Sequence, residues 1–126
     1  MKFERKPMVD WYDPKQLAAT GVKTVVSTVF GNFADRREMQ AALDPGKAYY
    51  DFSDRGDFWL DFISDLGDGF NPTFTLAHLL AQEKLVVDGN VTKRGNILVM
   101  GGDQVYPTPE MDEYRNRLQG PYHAAF

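Results

Sequence analysis

Two aspartates, Asp65 and Asp103, stand in matching positions just beyond two short apolar segments, 58–63 and 97–100. If these segments are neighbouring parallel strands, their carboxyl ends lie only about 5 Å apart, at the edge where open α/β sheets bind ligands. Two converging carboxylates repel each other unless they share a proton or bind a cation. Their oxygen atoms suit hard ions such as magnesium, manganese and iron. Either aspartate alone can instead form a turn or cap a helix.

The segments around these aspartates alternate between strand and helix patterns. Both apolar segments are predicted to be buried strands, and Asp88-Gly89 between them signals a hairpin turn. A helix from Pro72 to about Glu83 joins the two strands, so they should be parallel and close together. The predicted fold class is therefore α/β, a parallel-sheet βαβ core with flanking helices.

Helices are expected to begin where a capping side chain precedes a proline. That pattern occurs four times, and it predicts helices at Asp13-Pro14, Asn71-Pro72 and Thr108-Pro109. The fourth, Asp44-Pro45, is followed at once by Gly46 and predicts a turn instead. The first of these helices should cover residues 14–43, with a break near Gly31 and valines at helical spacing on one face. Residues 22–30 are also rich in β-branched side chains, so a strand is the alternative there. The last should end at Gly120-Pro121.

The composition limits the classes of protein that the chain can represent. Its 126 residues suit a single domain, divided into an N-terminal helical region, 1–48, and a core, 57–126. The net charge of −4 argues against binding a nucleic-acid backbone. The sequence has no apolar run long enough for a membrane segment and no signal peptide, which predicts a cytoplasmic protein. An unpaired sheet edge would favour self-association.

The chain has no cysteine and only two histidines, which excludes thiolate metal sites and disulfides. His78 lies on an apolar stripe in the middle of a predicted helix, and is expected to be partly buried and satisfied there. His123 lies close to the C-terminus, where order is expected to be poor.

The residues around both aspartates resemble a known family. Asp65-Leu66-Gly67 and Gly102-Asp103-Gln104-Val105-Tyr106 are similar to the first two motifs of the metallophosphoesterase, or calcineurin-like phosphoesterase, superfamily in its purple acid phosphatase-type form. The resemblance covers about half of the chain. It implies that residues 57–126 form part of the family's αββα sandwich.

The resemblance also implies roles for three residues. Asp65 would bind the first metal ion, and Asp103 would bridge two ions, which could be Mn, Fe or Zn. Tyr106 would bind ferric iron as a phenolate. From the residues alone, Tyr106 can equally be a packed aromatic in the turn before Pro107.

Several motifs of that family are missing from this chain. No Gly-Asn pair is followed by histidine, and the chain ends 23 residues after Asp103. The resemblance therefore implies the N-terminal portion of an enzyme that hydrolyses phosphoesters with a metal-bound hydroxide. The site would be incomplete here and the isolated chain nearly inactive, with no catalytic residue of its own. The alternative is a non-catalytic α/β binding or interaction module.

Overall fold

The computed structural model describes residues 1–31 and 50–126 of the chain. Its contacts divide the chain into two compact units. The larger comprises Met1–Val9 and Asp57–Phe126, and the smaller is Asp10–Gly56. In the described part of the chain, no helix is both long and apolar enough to cross a lipid bilayer.

The smaller unit contains helix α1, Pro14–Gly31. The helix begins where the sequence predicts, because Asp13 Oδ1 accepts a hydrogen bond of 2.9 Å from the second helical N–H. Val22, Val25 and Val26 lie at the surface, and Val22 and Val25 are 65% and 64% exposed. The predicted continuation over residues 32–43 and the predicted turn at residues 44–46 fall outside the described residues.

The larger unit contains four strands and a set of helical segments. In chain order these are β1 (Leu60–Ile63), α2 (Phe70–Ala81), β2 (Lys84–Val87), β3 (Asn90–Lys93), β4 (Ile97–Met100), α3 (Met111–Glu113), a π-helical segment (Tyr114–Gln119) and α4 (Gly120–Ala125).

Two strand pairs confirm the broad α/β prediction. Strands β1 and β4 are parallel neighbours, in register from Leu60 opposite Ile97 to Ile63 opposite Met100. Strands β2 and β3 form an antiparallel hairpin that turns at residues 88–89, as the Asp-Gly pair predicts. The connection between β1 and β4 thus contains a helix and a hairpin. The two strands are hydrogen-bonded neighbours although they are far apart in the sequence.

The prediction that β1 and β4 are buried strands is wrong. On one face, Ile63 and Met100 pack against a small core formed by Leu66, Val105 and Leu118. On the other face, Leu60 and Phe62 are 52% and 64% exposed. Alternate residues of a strand point to opposite faces, so a pair of strands with a core on one side buries only half of its apolar side chains.

Helix α2 begins two residues earlier than predicted. Gly69 is the N-cap, in an extended conformation and without a side-chain cap, so Asn71 does not cap the helix. Pro72 falls within the first turn instead, where its missing N–H leaves no helical hydrogen bond unmade.

Helix α3, in contrast, begins later than the Thr108-Pro109 pattern predicts. Its N-cap is Glu110, and the Thr108 hydroxyl donates to the Glu110 carboxylate over 3.2 Å. Thr108 is therefore not a helix cap, because its side chain binds a neighbouring side chain rather than a free backbone N–H.

The helix does not end at Gly120-Pro121 either, because α4 continues through both residues. A Cβ atom on Gly120 would lie 2.6 Å from the ring of Phe3, so this glycine allows close packing rather than a helix stop. The preceding π-helical segment buries three consecutive residues, Asn116, Arg117 and Leu118. These residues connect the helix to the N-terminal segment and to the loop after β1.

Candidate functional site

The loops that follow β1 and β4 bind each other through their backbones. The N–H of Asp65 donates to the carbonyl of Gly102 over 3.1 Å, and the N–H of Leu66 donates to the carbonyl of Asp103 over 2.8 Å. Asp65 has a φ of 59° and Asp103 a φ of 56°, an uncommon conformation for a residue with a Cβ atom. The two predicted site aspartates thus lie side by side at the carboxyl ends of neighbouring parallel strands.

Tyr106 joins this pair through its hydroxyl group. The hydroxyl donates to Asp65 Oδ1 over 2.6 Å and also interacts with the carboxylate of Asp103. The hydrogen bond to Asp65, followed by slight desolvation and the negative charge of both aspartates, raises the pKa of Tyr106 to about 12. At neutral pH the phenol therefore keeps its proton, which it donates to Asp65.

The loop that carries Asp65 is held close to the loop that carries Tyr106. The Tyr106 N–H donates to the carbonyl of Gly67 over 3.2 Å. Gly67 has a φ of 74°, and a Cβ atom at this position would lie 2.2 Å from the carbonyl oxygen of Gln104. Only glycine allows this backbone conformation together with so close an approach.

A buried hydroxyl group also forms a hydrogen bond with the loop after β1. Thr73, in the first turns of α2, is 1% exposed, and its Oγ1 accepts the N–H of Gly67 over 3.2 Å. Without this partner the Gly67 N–H would be a buried donor with no acceptor, which is unfavourable. The proline pattern at Asn71-Pro72 drew attention to the helix start, but it did not indicate this contact.

Neither histidine joins the site. His78 is exposed, contrary to the prediction, and its ring stacks on Phe74 with centroids 5.9 Å apart. His123 lies in α4, and its Nε2 is 3.3 Å from the amino group of Met1. In residues 1–31 and 50–126, no three histidine, cysteine, aspartate or glutamate side chains gather into a metal-binding group.

The donor set at the strand ends is therefore two carboxylates and one phenol. These are hard oxygen donors, which fit a cation such as Mn²⁺ or ferric iron better than a soft one. One carboxylate oxygen of Asp65 already accepts the Tyr106 proton, so a cation would compete with that hydrogen bond. Three oxygen donors fit part of one coordination sphere, and they are too few for two ions.

Arg117 is a second residue that sequence analysis missed. It is 8% exposed, and its Nη1 donates to the carbonyls of Pro7 and Asp68 over 2.7 and 2.6 Å. Its Nε donates to the carboxylate of Glu113, which also pairs with Lys6. The spacing of Glu113 and Arg117 indicates a helical ion pair, but no local pattern shows that the pair is buried under residues more than 40 positions away.

No family model, curated protein or solved structure matches this chain.

Proposed function

We propose that this chain carries part of the metal site of a metallophosphoesterase, in which Asp65, Asp103 and Tyr106 bind a hard cation. The observation that carries the proposal is the hydrogen bond from the Tyr106 hydroxyl to Asp65, which lies beside Asp103 at the ends of two parallel strands. The resemblance of the same three residues to the first two motifs of the family supports it.

A cation in such a site polarises a phosphoester and lowers the pKa of a bound water, which is the chemistry of metal-dependent phosphoester hydrolysis. The residues of this chain would orient the cation through Asp65 and Asp103. Tyr106 would keep its proton, donated to Asp65, when the cation is absent, and would give it up to bind ferric iron as a phenolate. The complete enzyme would need two ions and further ligands, so this chain alone should be nearly inactive towards phosphoesters.

Calorimetric titration with Mn²⁺ tests this proposal. We expect weak binding to the unaltered chain and a loss of about tenfold in affinity in Asp65→Asn or Asp103→Asn, equivalent to about 1.4 kcal/mol. Asparagine tolerates positive φ as aspartate does, so both variants should keep the backbone. Asp88→Asn is the matched control, because Asp88 also has a positive φ, of 50°, but lies in the β2–β3 turn.

Two results would contradict the proposal. The first is an unaltered chain that binds no Mn²⁺, or binds it equally well in all three variants. The second is chelator-sensitive hydrolysis of an aryl phosphate well above background, because three oxygen donors should not complete a catalytic site.

A second candidate function is a non-catalytic interaction module. The observation that favours it is the apolar surface on one face of the β1–β4 pair, where Leu60 and Phe62 are mostly exposed. Exposed apolar side chains that lie together often mark a surface for another protein. Self-association through this face would raise the apparent mass in sedimentation as concentration increases, and Phe62→Ser would reverse that increase.

A further inference from the structure

The loop after β1 is held by hydrogen bonds at two consecutive residues, Gly67 and Asp68. At Gly67 it is held by the Thr73 hydroxyl and by the N–H of Tyr106. One residue further on, the carbonyl of Asp68 accepts two more hydrogen bonds, from the N–H of Val9 over 2.9 Å and from Arg117 over 2.6 Å. The second pair of bonds comes from parts of the chain distant from both strand ends.

The side chain of Arg117 is suited to fixing the carbonyl of Asp68 in place. Its guanidinium carries several donors in a fixed plane, and here they reach the carbonyls of Pro7 and Asp68 and the carboxylate of Glu113. Burial alone would raise the pKa of Glu113, but its hydrogen bonds to Lys6 and Arg117 outweigh this and lower its pKa below the usual value. Glu113 is therefore charged at neutral pH, and it fixes the guanidinium from the helix side.

We propose that Arg117 is a positioning residue for the carboxylate pair. By tying the carbonyl of Asp68 to the N-terminal segment, it keeps the loop after β1 in the conformation that gives Asp65 its positive φ. Asp65 lies three residues before Asp68, so a shift of the bound carbonyl moves the carboxylate with it. The loop geometry follows from these contacts alone, and only the consequence for metal binding rests on the proposed function.

A matched pair of variants separates this role from general helix stability. Arg117→Lys keeps the positive charge, but an ammonium group cannot reach two carbonyls and a carboxylate in one plane. Arg115→Lys is the control, because Arg115 lies on the same helical segment, is exposed, and pairs with Asp112 over 2.8 Å. Both variants retain the charge of the helix.

Hydrogen exchange followed by NMR reads out the loop without any metal. The reporters are the amides of Leu66 and Tyr106, which bond the carbonyls of Asp103 and Gly67. In Arg117→Lys we expect both amides to exchange about tenfold faster relative to amides of the β2–β3 hairpin, a local opening. Mn²⁺ affinity should fall severalfold in the same variant. Arg115→Lys should change neither quantity.

The outcomes remain distinguishable. A folded Arg117→Lys with unchanged exchange at Leu66 and Tyr106 would overturn the positioning role, whatever the metal result. If the unaltered chain binds no Mn²⁺, the proposed function fails while the exchange ratios still decide the role of Arg117.

Should Arg117→Lys fail to fold, Glu113→Gln replaces it. This variant weakens the anchor of the guanidinium and leaves both carbonyl contacts available. It should raise exchange at Leu66 and Tyr106 by a smaller factor than expected for Arg117→Lys. Unchanged exchange at both amides would overturn the proposal.

Discussion

Asp65 and Asp103 share their left-handed backbone with Asp88, yet the three residues lie in two different settings. Asp88 and Gly89, with φ of 50° and 79°, form the two-residue turn of the β2–β3 hairpin. A two-residue hairpin turn of type I′ requires positive φ at both central positions, so this conformation is a local property of the turn.

Asp65 and Asp103 do not lie in a hairpin turn. They follow parallel strands, and their conformation is held by backbone hydrogen bonds between loops that are almost 40 residues apart in sequence. Strained backbone that only long-range contacts maintain is concentrated at functional sites. Asp88 therefore makes a local turn, whereas Asp65 and Asp103 are held by contacts with distant parts of the chain.

The largest difference between the two settings should appear when a glycine with positive φ is replaced in each of them. Gly67→Ala should destabilise the chain by about 3 kcal/mol or more, because the methyl group adds a collision with the Gln104 carbonyl to an unfavourable φ. Gly89→Ala has the same unfavourable φ but meets open space, and should lose only about 1–2 kcal/mol. Urea unfolding of both variants measures the difference, and equal losses would mean that the loop after β1 is no more constrained than a hairpin turn.

Removing a threonine hydroxyl in each setting should have a smaller effect. Thr73→Val leaves the buried N–H of Gly67 without an acceptor, which should lower stability by about 1–3 kcal/mol. Thr92→Val is the control, because its hydroxyl makes only a long contact of 3.5 Å with the carbonyl of Leu85 in the hairpin. Its effect should stay within about 0.5 kcal/mol. A Thr73→Val variant as stable as the unaltered chain would show that the loop does not depend on α2.

The pKa of Tyr106 should depend on Asp65 and should not depend on Asp88. Asp65→Asn removes the charged acceptor, so the pKa of Tyr106 should fall from about 12 towards the usual value of 10. Asp88→Asn should leave it unchanged. The phenolate absorbance, taken as the difference between each protein and its Tyr106→Phe derivative, isolates this residue from the other five tyrosines.

The raised pKa of Tyr106 also predicts how the stability of the fold changes at high pH. Because the folded chain holds the Tyr106 proton more tightly than the unfolded chain, this contribution is complete below about pH 10. It is lost as pH rises from 10 through about 12. Tyr106→Phe should show a shallower loss of stability over that interval, and an identical slope would contradict the hydrogen bond to Asp65.

Local patterns predicted the elements whose causes are local. The side-chain cap at Asp13, the Asp-Gly hairpin and the bounds of β4 depend on residues close in sequence, and the structure confirms them. The parallel pairing of β1 and β4 followed from a general rule for crossover connections. The starts of α2 and α3 were wrong because packing and side-chain contacts override the proline patterns.

Long-range contacts explain what the sequence did not reveal. The aspartates could be placed at strand ends, but the hydrogen bond between Tyr106 and Asp65 joins residues 41 positions apart. Arg117 reaches Pro7 across 110 positions, and no periodicity or spacing encodes that contact. The exposure of β1 was missed because an apolar strand predicts burial without showing how many layers the fold provides.

Paramagnetic broadening by Mn²⁺ tests the central claim most directly, because it reports where a cation binds rather than whether one does. With substoichiometric Mn²⁺ at neutral pH, we predict that the NMR signals of Leu66, Asp103 and Tyr106 broaden first. The signals of Asp88 and Gly89 should stay sharp. Broadening centred on the hairpin turn or on another acidic surface, or uniform broadening of the whole spectrum, would contradict a cation site at the ends of β1 and β4.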